Sequence, residues 1–154
     1  MALKYLGYAD LENIRLTDYL EQMRDLVPGH DLSALDEDES CIFEDAMIFK
    51  QGCCNIFAIA LKDIFPEYEI KVLHGLNKAV HIYCKYKDYY IDVSGAIKND
   101  LSFRYSLCGD YPSADSEETY DPAGDSTEPY YEYRLAFAKA LILSAVYKHL
   151  YRID

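Results

Sequence analysis

Apolar side chains recur at three- and four-residue steps over residues 9–26, with charged residues between them. This spacing places the apolar positions on one side of an α-helix. The positions concerned are Leu11, Ile14, Leu16, Leu20, Met23 and Leu26. The pattern predicts an amphipathic helix that ends at Val27-Pro28-Gly29, because proline interrupts helical hydrogen bonding. Residues 30–50 follow no clear period, and we expect a loop followed by a short helix or strand there.

The segment 54–65, CNIFAIALKDIF, is apolar at most positions and predicts a buried helix that Pro66 stops. Three short runs rich in Val, Ile and Tyr come next, broken by Gly75 and by residues 87–88. Such runs are typical of strands. We therefore expect three consecutive antiparallel strands between about residues 68 and 95. They read EYEIKVLHG, KAVHIYCKY and DYYIDVSG.

The stretch 109–128 carries acidic residues but no basic residue, together with two prolines and two glycines. This composition predicts a long solvated loop, with a lid over a site as the alternative. The final segment predicts a packed helix with Thr127 as its N-cap and Pro129 in its first turn. Together the elements predict one α+β domain over 1–154, in which a buried helix lies on a small antiparallel sheet between N- and C-terminal helices.

Composition narrows the function classes. The chain has 154 residues and a formal net charge of -12, which repels phosphate backbones and anionic lipid headgroups. We therefore expect no nucleic-acid partner and no membrane partner, and the pattern indicates no cofactor. The five cysteines have no regular spacing of the kind that a disulfide framework shows. The first residues include charges where a signal peptide would be apolar. Both observations favour a location of the protein in the reducing cytoplasm. Oligomeric state is left open.

The candidate chemistry begins at the start of the buried helix, where Cys54 follows Gly52 and Cys53. Unpaired N–H groups and the helix dipole lower the pKa of a thiol at such a position, and they can also stabilise an oxyanion. Cys53 is the rival nucleophile. The phase of the helix favours Cys54, because Cys54 shares the inner face with Phe57 and Leu61.

A histidine and an aspartate on the next strands complete the pattern. A two-residue hairpin loop at 87–88 would oppose Tyr86 to Tyr89, which places His81 and Asp92 on one face of the sheet. They would be diagonal neighbours about 7 to 8 Å apart between Cα atoms, a gap that their side chains can bridge. Asp92 would then orient His81, and His81 would take the proton of the thiol. The same face would also hold Tyr83, Tyr90 and Ser94.

The order Cys, His, Asp, with the Cys opening a helix as G-x-C-x-x-F-A, resembles the transglutaminase-like branch of the papain-like cysteine enzymes. Residues 51–95 carry the resemblance. It implies Cys54 as nucleophile, His81 as base and Asp92 as third member, on a helix packed against an antiparallel sheet. Gln51 resembles the glutamine that helps to form the papain oxyanion hole, although that glutamine lies further from its Cys. The backbone N–H of Cys54 is the other oxyanion candidate.

We therefore expect a thiol-dependent acyl-transfer enzyme, with peptidase, amidase, deamidase and transglutaminase outcomes all open, acting on a protein or peptide. An effector delivered to another cell would be the same enzyme in another setting. The alternative from a different class is a non-catalytic acidic inhibitor or immunity-type protein that binds through its acidic loop and tyrosines. A zinc site at Cys53, Cys54, His81 and Cys84 is disfavoured, because alternation directs His81 and Cys84 to opposite faces of a strand.

Overall fold

The computed structural model describes residues 5–26, 44–75, 78–98 and 116–154. Within these ranges the chain forms α-helices, strands and short 3-10 turns. The helices are α1 (Tyr8–Glu12), α2 (Leu20–Leu26), α3 (Cys54–Ile64), α4 (Tyr131–Leu143) and α5 (Lys148–Tyr151). The strands are β1 (Glu69–Gly75), β2 (Lys78–Tyr86), β3 (Tyr89–Asp92), β4 (Gly95–Lys98) and β5 (Ser116–Thr119). The 3-10 turns are Leu16–Tyr19, Ala46–Phe49 and Asp125–Thr127.

The strands form one antiparallel sheet in the order β4-β3-β2-β1-β5. The prediction of an α+β fold with consecutive antiparallel strands is confirmed. The hairpin between β2 and β3 also has the predicted register, with Tyr86 opposite Tyr89. Two further strands, β4 and β5, extend the sheet on either side beyond the three that the sequence predicted.

Helix α3 lies at the centre of the molecule, in contact with β2 on one side and α4 on the other. Residues 55–61 are all buried, so this helix has almost no solvent face. Phe57 is its largest anchor, with its ring 5.3 Å from that of Phe49 and 5.2 Å from that of Tyr151. Burying one such ring stabilises the fold by about 1.5–3 kcal/mol. The thiol of Cys84 donates to the Ala58 carbonyl and joins β2 to the helix.

The single helix predicted over 9–26 is wrong, because the chain breaks between α1 and the 3-10 turn at 16–19. Arg15 is extended there and forms an isolated bridge with Asp45. The Leu16 N–H donates to the Glu44 carbonyl, and the Arg15 guanidinium binds the Asp45 carboxylate at 2.9 Å. A partner distant in sequence therefore supplies hydrogen bonds that a continuous helix would have supplied locally. Residues 27–29, predicted to end that helix, lie outside the described part of the chain.

The loop predicted over 109–128 contains a strand where the structure describes it. β5 pairs with β1 from Lys71–Thr119 to His74–Ser116. The acidic side chains that suggested solvation meet partners on β2 and β1: Lys85 binds Glu117 at 3.2 Å, and His74 lies 3.5 Å from Glu118. Composition within the segment could not show these partners. Residues 109–115 are not among those described.

The terminal helix also differs from its prediction. Thr127 is part of a 3-10 turn and its hydroxyl donates to the Gly124 carbonyl, so it does not cap a helix. Helix α4 begins only after Tyr130, whose φ of 59° turns the chain, and it ends at Leu143. A second, short helix follows. In the ranges described, no helix combines the length and the apolar character needed to cross a membrane.

Candidate active site

Cys54 is the first residue of α3, and the backbone before it is shaped to place it there. Gly52 has φ +109°, a conformation that side chains other than glycine rarely adopt. The Cys53 N–H then donates to the Ile48 carbonyl at 2.8 Å, which ties the turn to the preceding 3-10 segment. Among the described residues no carbonyl accepts the Cys54 N–H. The thiol therefore stands at the positive end of the helix dipole, beside a backbone N–H that no carbonyl in the described ranges accepts.

His81 and Asp92 meet on the sheet face that the alternation predicted. The Nε2 atom of His81 lies 3.0 Å from Oδ2 of Asp92. Both side chains are buried, with 4% of His81 and 3% of Asp92 exposed. The His81 ring also stacks on Tyr83, with ring centroids 5.9 Å apart. Because Nε2 faces the carboxylate, Nδ1 is the nitrogen left for another partner.

The other group that acts on the ring is Cys54: His81 lowers the pKa of the thiol, and the thiol raises the pKa of the imidazole. Burial alone would raise the pKa of Cys54, but the hydrogen bond and charge of His81 outweigh it and lower the pKa. Burial alone would lower the pKa of His81, whereas its hydrogen bonds to Asp92 and Cys54 raise it to about 9. Both shifts favour a thiolate beside an imidazolium.

The sheet opens at the position of the thiol. β3 pairs only with the last three residues of β2, from Cys84 to Tyr86. Two residues before that ladder, the backbone of Ile82 lowers the pKa of the Cys54 thiol, as does the backbone of Asn55 in the helix. The tip of α3 thus meets β2 where β3 no longer pairs with it, and two backbone donors further stabilise a thiolate.

Asp92 has partners that the sequence did not reveal. Lys50 Nζ lies 3.0 Å from Oδ2, and the Tyr5 hydroxyl donates to both carboxylate oxygens at 3.1–3.2 Å. The Ser94 N–H donates to Oδ1 at 2.9 Å. Burial opposes ionisation of Asp92, yet His81 and Lys50 together lower its pKa to about 2. The carboxylate is therefore ionised at neutral pH despite its burial.

The rival nucleophile, Cys53, has a different environment. Burial raises its pKa, and the nearby Arg134 guanidinium, with Nη1 3.5 Å from the sulfur, only partly offsets this. Arg134 is itself held by the Glu44 carboxylate. The structure therefore brings Cys54, and not Cys53, to the imidazole.

Two other residues considered from the sequence lie away from the cluster. Gln51 is exposed, and its side chain makes no hydrogen bond to any other residue that the structure describes. Cys84 is buried on the helix side of the sheet, where burial raises its pKa to about 12. The Cys54 N–H is therefore better placed than Gln51 to donate to an oxyanion.

Polar groups from the C-terminal part of the chain fix the start of α3 next to the thiol. Asn55 is buried, and its Nδ2 donates to Asp125 and to Glu128, each at 2.9 Å. The Tyr120 hydroxyl donates to Asp125 at 2.8 Å. Burial raises the pKa of Tyr120, and Asp125 and the nearby Cys54 add to this effect. These contacts hold the first turn of α3 in place, one residue after Cys54.

Fold and site together define an α+β protein in which an imidazole bound to a carboxylate acts on a thiol at the tip of a buried helix. The chain belongs to the phage YunG-like protein family, whose model matches residues 32–134. This span contains Lys50, Cys54, His81 and Asp92, but Tyr5 lies outside it. No curated protein and no solved structure matches the chain.

Proposed function

We propose that the protein is a thiol-dependent acyl-transfer enzyme with Cys54 as nucleophile, His81 as base and Asp92 as the group that orients His81. One observation carries this proposal: His81 Nε2 lies 3.0 Å from an ionised Asp92, and the same imidazole lowers the pKa of the Cys54 thiol at the start of α3. Nucleophile, base and orienting group in this sequence are the recurring arrangement of covalent catalysis.

The reaction begins when the Cys54 sulfur attacks the carbonyl carbon of an amide or ester. The oxyanion that forms is stabilised by the backbone N–H of Cys54 at the helix start. Protonated His81 then gives its proton to the leaving amine or alcohol, and a thioester to Cys54 remains. Water or an amine resolves the thioester, which covers peptidase, amidase, deamidase and transglutaminase outcomes on a protein or peptide substrate.

The order of elements supports a transglutaminase-like or papain-like core for this fold. The nucleophile opens a helix that packs on an antiparallel sheet, and the base and the carboxylate follow on successive strands. The described cysteines, Cys53, Cys54 and Cys84, are all free thiols, which suits a reducing cytoplasm. A nucleophilic role requires that Cys54 stay reduced.

The proposal is tested by acetylation with 4-nitrophenyl acetate, a small activated ester that needs no specific binding pocket. We expect a burst of nitrophenol followed by slower turnover, with the acetyl group located on Cys54 by peptide mass spectrometry. Iodoacetamide should likewise label Cys54 first, at a pH below the ordinary thiol pKa of about 8.5.

Three variants sharpen this test. Cys54→Ser should abolish the burst and His81→Gln should slow it at least about 100-fold, whereas Cys53→Ser should preserve it. Equal labelling of all five cysteines, or a burst that survives in Cys54→Ser, would contradict the proposal. That result would favour a non-catalytic binding protein.

A further inference from the structure

Lys50 stands out because it is an ammonium group placed against the carboxylate of the proposed triad. Its side chain is only 11% exposed, and that of Asp92 only 3%. An orienting carboxylate needs only the imidazole as its cationic partner. In this cluster the same Oδ2 atom of Asp92 receives both His81 and Lys50, each at 3.0 Å.

The position of Lys50 is fixed by its contacts. Its three N–H donors have three acceptors: Asp92 Oδ2 at 3.0 Å, the Tyr5 hydroxyl at 3.1 Å and Ser94 Oγ at 3.2 Å. Its backbone N–H also bonds the Met47 carbonyl at the end of the 3-10 turn. With every donor satisfied, the ammonium group is held at one place beside the carboxylate.

The charge of this cluster depends on the state of His81. When His81 is neutral, Lys50 and Asp92 form a pair of zero net charge. Without Lys50, a neutral His81 would leave a buried carboxylate with no cation, which is a costly arrangement. The carboxylate would then hold a proton on His81 more strongly.

We propose that Lys50 is a positioning residue that neutralises the Asp92 carboxylate, so that His81 can return to its neutral form and act as a base on the acyl-enzyme. This inference rests on the proposed function. In the step concerned, water gives one proton to neutral His81 while its oxygen bonds the acyl carbon. The carbon–sulfur bond then breaks, the carboxylic acid leaves, and the electron pair returns to Cys54 as a thiolate beside protonated His81.

Acylation requires protonated His81, whereas deacylation requires neutral His81. Lys50 favours the neutral form and so promotes deacylation. During acylation the protonated imidazole pairs with the thiolate and serves as an acid. Once the thiolate is consumed, the imidazole loses that anionic partner and faces only Asp92. The positive charge of Lys50 offsets the effect of Asp92 and lowers the pKa of His81 in the acyl-enzyme. Neutral His81 can therefore act as the base at a lower pH.

The experiment is a pH titration of the His81 ring by ¹⁵N NMR in a Cys54→Ser chain, with and without Lys50→Met. Removing a nearby positive charge raises the pKa of an imidazole, and we expect an upward shift of on the order of one unit. Lys50→Arg should restore the original value. Lys87→Met removes an exposed lysine whose ammonium stacks on Tyr86, and this control should leave the His81 titration unchanged.

Other titratable groups near the pair do not obscure this readout. Tyr5 is hydrogen-bonded to Asp92, and Tyr151 is close enough to be affected by its charge. Burial raises the pKa of both hydroxyls, so both stay neutral while His81 titrates. Glu117 reaches Tyr83 from β5, and although burial opposes its charge, Tyr83 and Lys85 lower its pKa, so it stays ionised. The serine replaces the thiol that would otherwise titrate with His81.

In the chain that retains Cys54, hydrolysis of the acetyl thioester should require a higher pH in Lys50→Met by the same shift. At a pH below the His81 pKa of both wild type and Lys50→Met, the hydrolysis rate of the variant should be about tenfold lower, while its acetylation burst remains. Lys50→Gln, which keeps a donor but no charge, replaces Lys50→Met if the latter does not fold. An unchanged His81 titration in the uncharged variant overturns the inference. The titration uses no substrate, so absence of acetylation would contradict the proposed function alone.

Discussion

Asp92 is a nearly fully buried carboxylate that stays ionised because every group around it donates. His81, Lys50, Tyr5 and the Ser94 N–H all bond to its two oxygens. With asparagine at position 92, the amide nitrogen would replace one carboxylate oxygen, and its N–H groups would face a donor that now binds that oxygen. The residue therefore has a structural role that is separable from chemistry.

We expect Asp92→Asn to lower the free energy of unfolding by about 2 to 3 kcal/mol at pH 7. The folded pKa of Asp92 lies near 2, below the ordinary value of 3.8, so its ionised form stabilises the fold above pH 3.8. This contribution is lost as the pH falls from 3.8 through about 2, and the gap between wild type and variant should close there. Urea unfolding followed by circular dichroism at several pH values measures the gap. Asp88→Asn, in the exposed hairpin turn, should change stability by less than about 0.5 kcal/mol. An equal effect of both substitutions would contradict the expectation.

At the residue scale, the sequence predicted the contacts that are local and missed those that are distant. His81 and Asp92 are separated by one tight hairpin, so alternation along two strands was enough to place them together. Lys50 lies 42 residues from Asp92 and Tyr5 lies 87 residues away. No periodicity connects positions so far apart, and only the folded chain shows that they share one carboxylate.

Among the elements, the turn before α3 decides where the nucleophile stands. Gly52 adopts its positive φ in open space, with nothing within 4 Å of an added Cβ. A side chain there would meet no neighbour, so the restriction is one of backbone conformation alone. The glycine sets the direction in which the chain enters the helix.

We expect Gly52→Ala to cost about 1 to 2 kcal/mol in stability and to slow iodoacetamide labelling of Cys54, because the strained turn displaces the helix start. Thermal unfolding and peptide mass spectrometry measure the two effects. Gln51→Ala changes the exposed neighbour and should alter neither. If Gly52→Ala lost stability but kept its labelling rate, the turn would be shown not to position the thiol.

The elements that the sequence predicted well are those whose partners are adjacent in the chain. Helix α3 and strands β1 to β3 follow one another and pair with their neighbours. The helix predicted over 9–26 was wrong because Arg15 bridges to Asp45. β5 was missed because its acidic side chains have partners on other strands: Glu117 binds Lys85, and Glu118 lies beside His74. In both cases tertiary contacts outweighed local preference.

Across the whole molecule, the C-terminal helix α5 is hydrogen-bonded to residues in the middle of the chain. The Tyr151 hydroxyl donates to the Val93 carbonyl at 2.8 Å, between Asp92 and Ser94 in sequence. The Tyr151 carbonyl in turn accepts from the Tyr68 hydroxyl. These bonds connect α5 to the strand end that carries the proposed orienting carboxylate.

We expect Tyr151→Phe to reduce the free energy of unfolding by about 1 to 2 kcal/mol, because the ring still packs but the buried Val93 carbonyl loses its donor. Urea unfolding at pH 7 checks this value. Tyr8→Phe removes a hydroxyl from a side chain that is 54% exposed, and it should be neutral. Equal stability of Tyr151→Phe and wild type would show that this hydrogen bond makes no net contribution.

The two-residue turn at Lys87 and Asp88 has a consequence for how related chains can vary in length. Successive strand residues point to opposite faces of the sheet. Inserting or deleting one residue within β3 ahead of Asp92 would therefore turn the carboxylate toward the helix, and His81 would lose its hydrogen-bond partner. Inserting or deleting two residues would keep the carboxylate on the same face of the sheet but shift its register relative to His81. Length changes near this hairpin should therefore be tolerated only where the cluster has been lost.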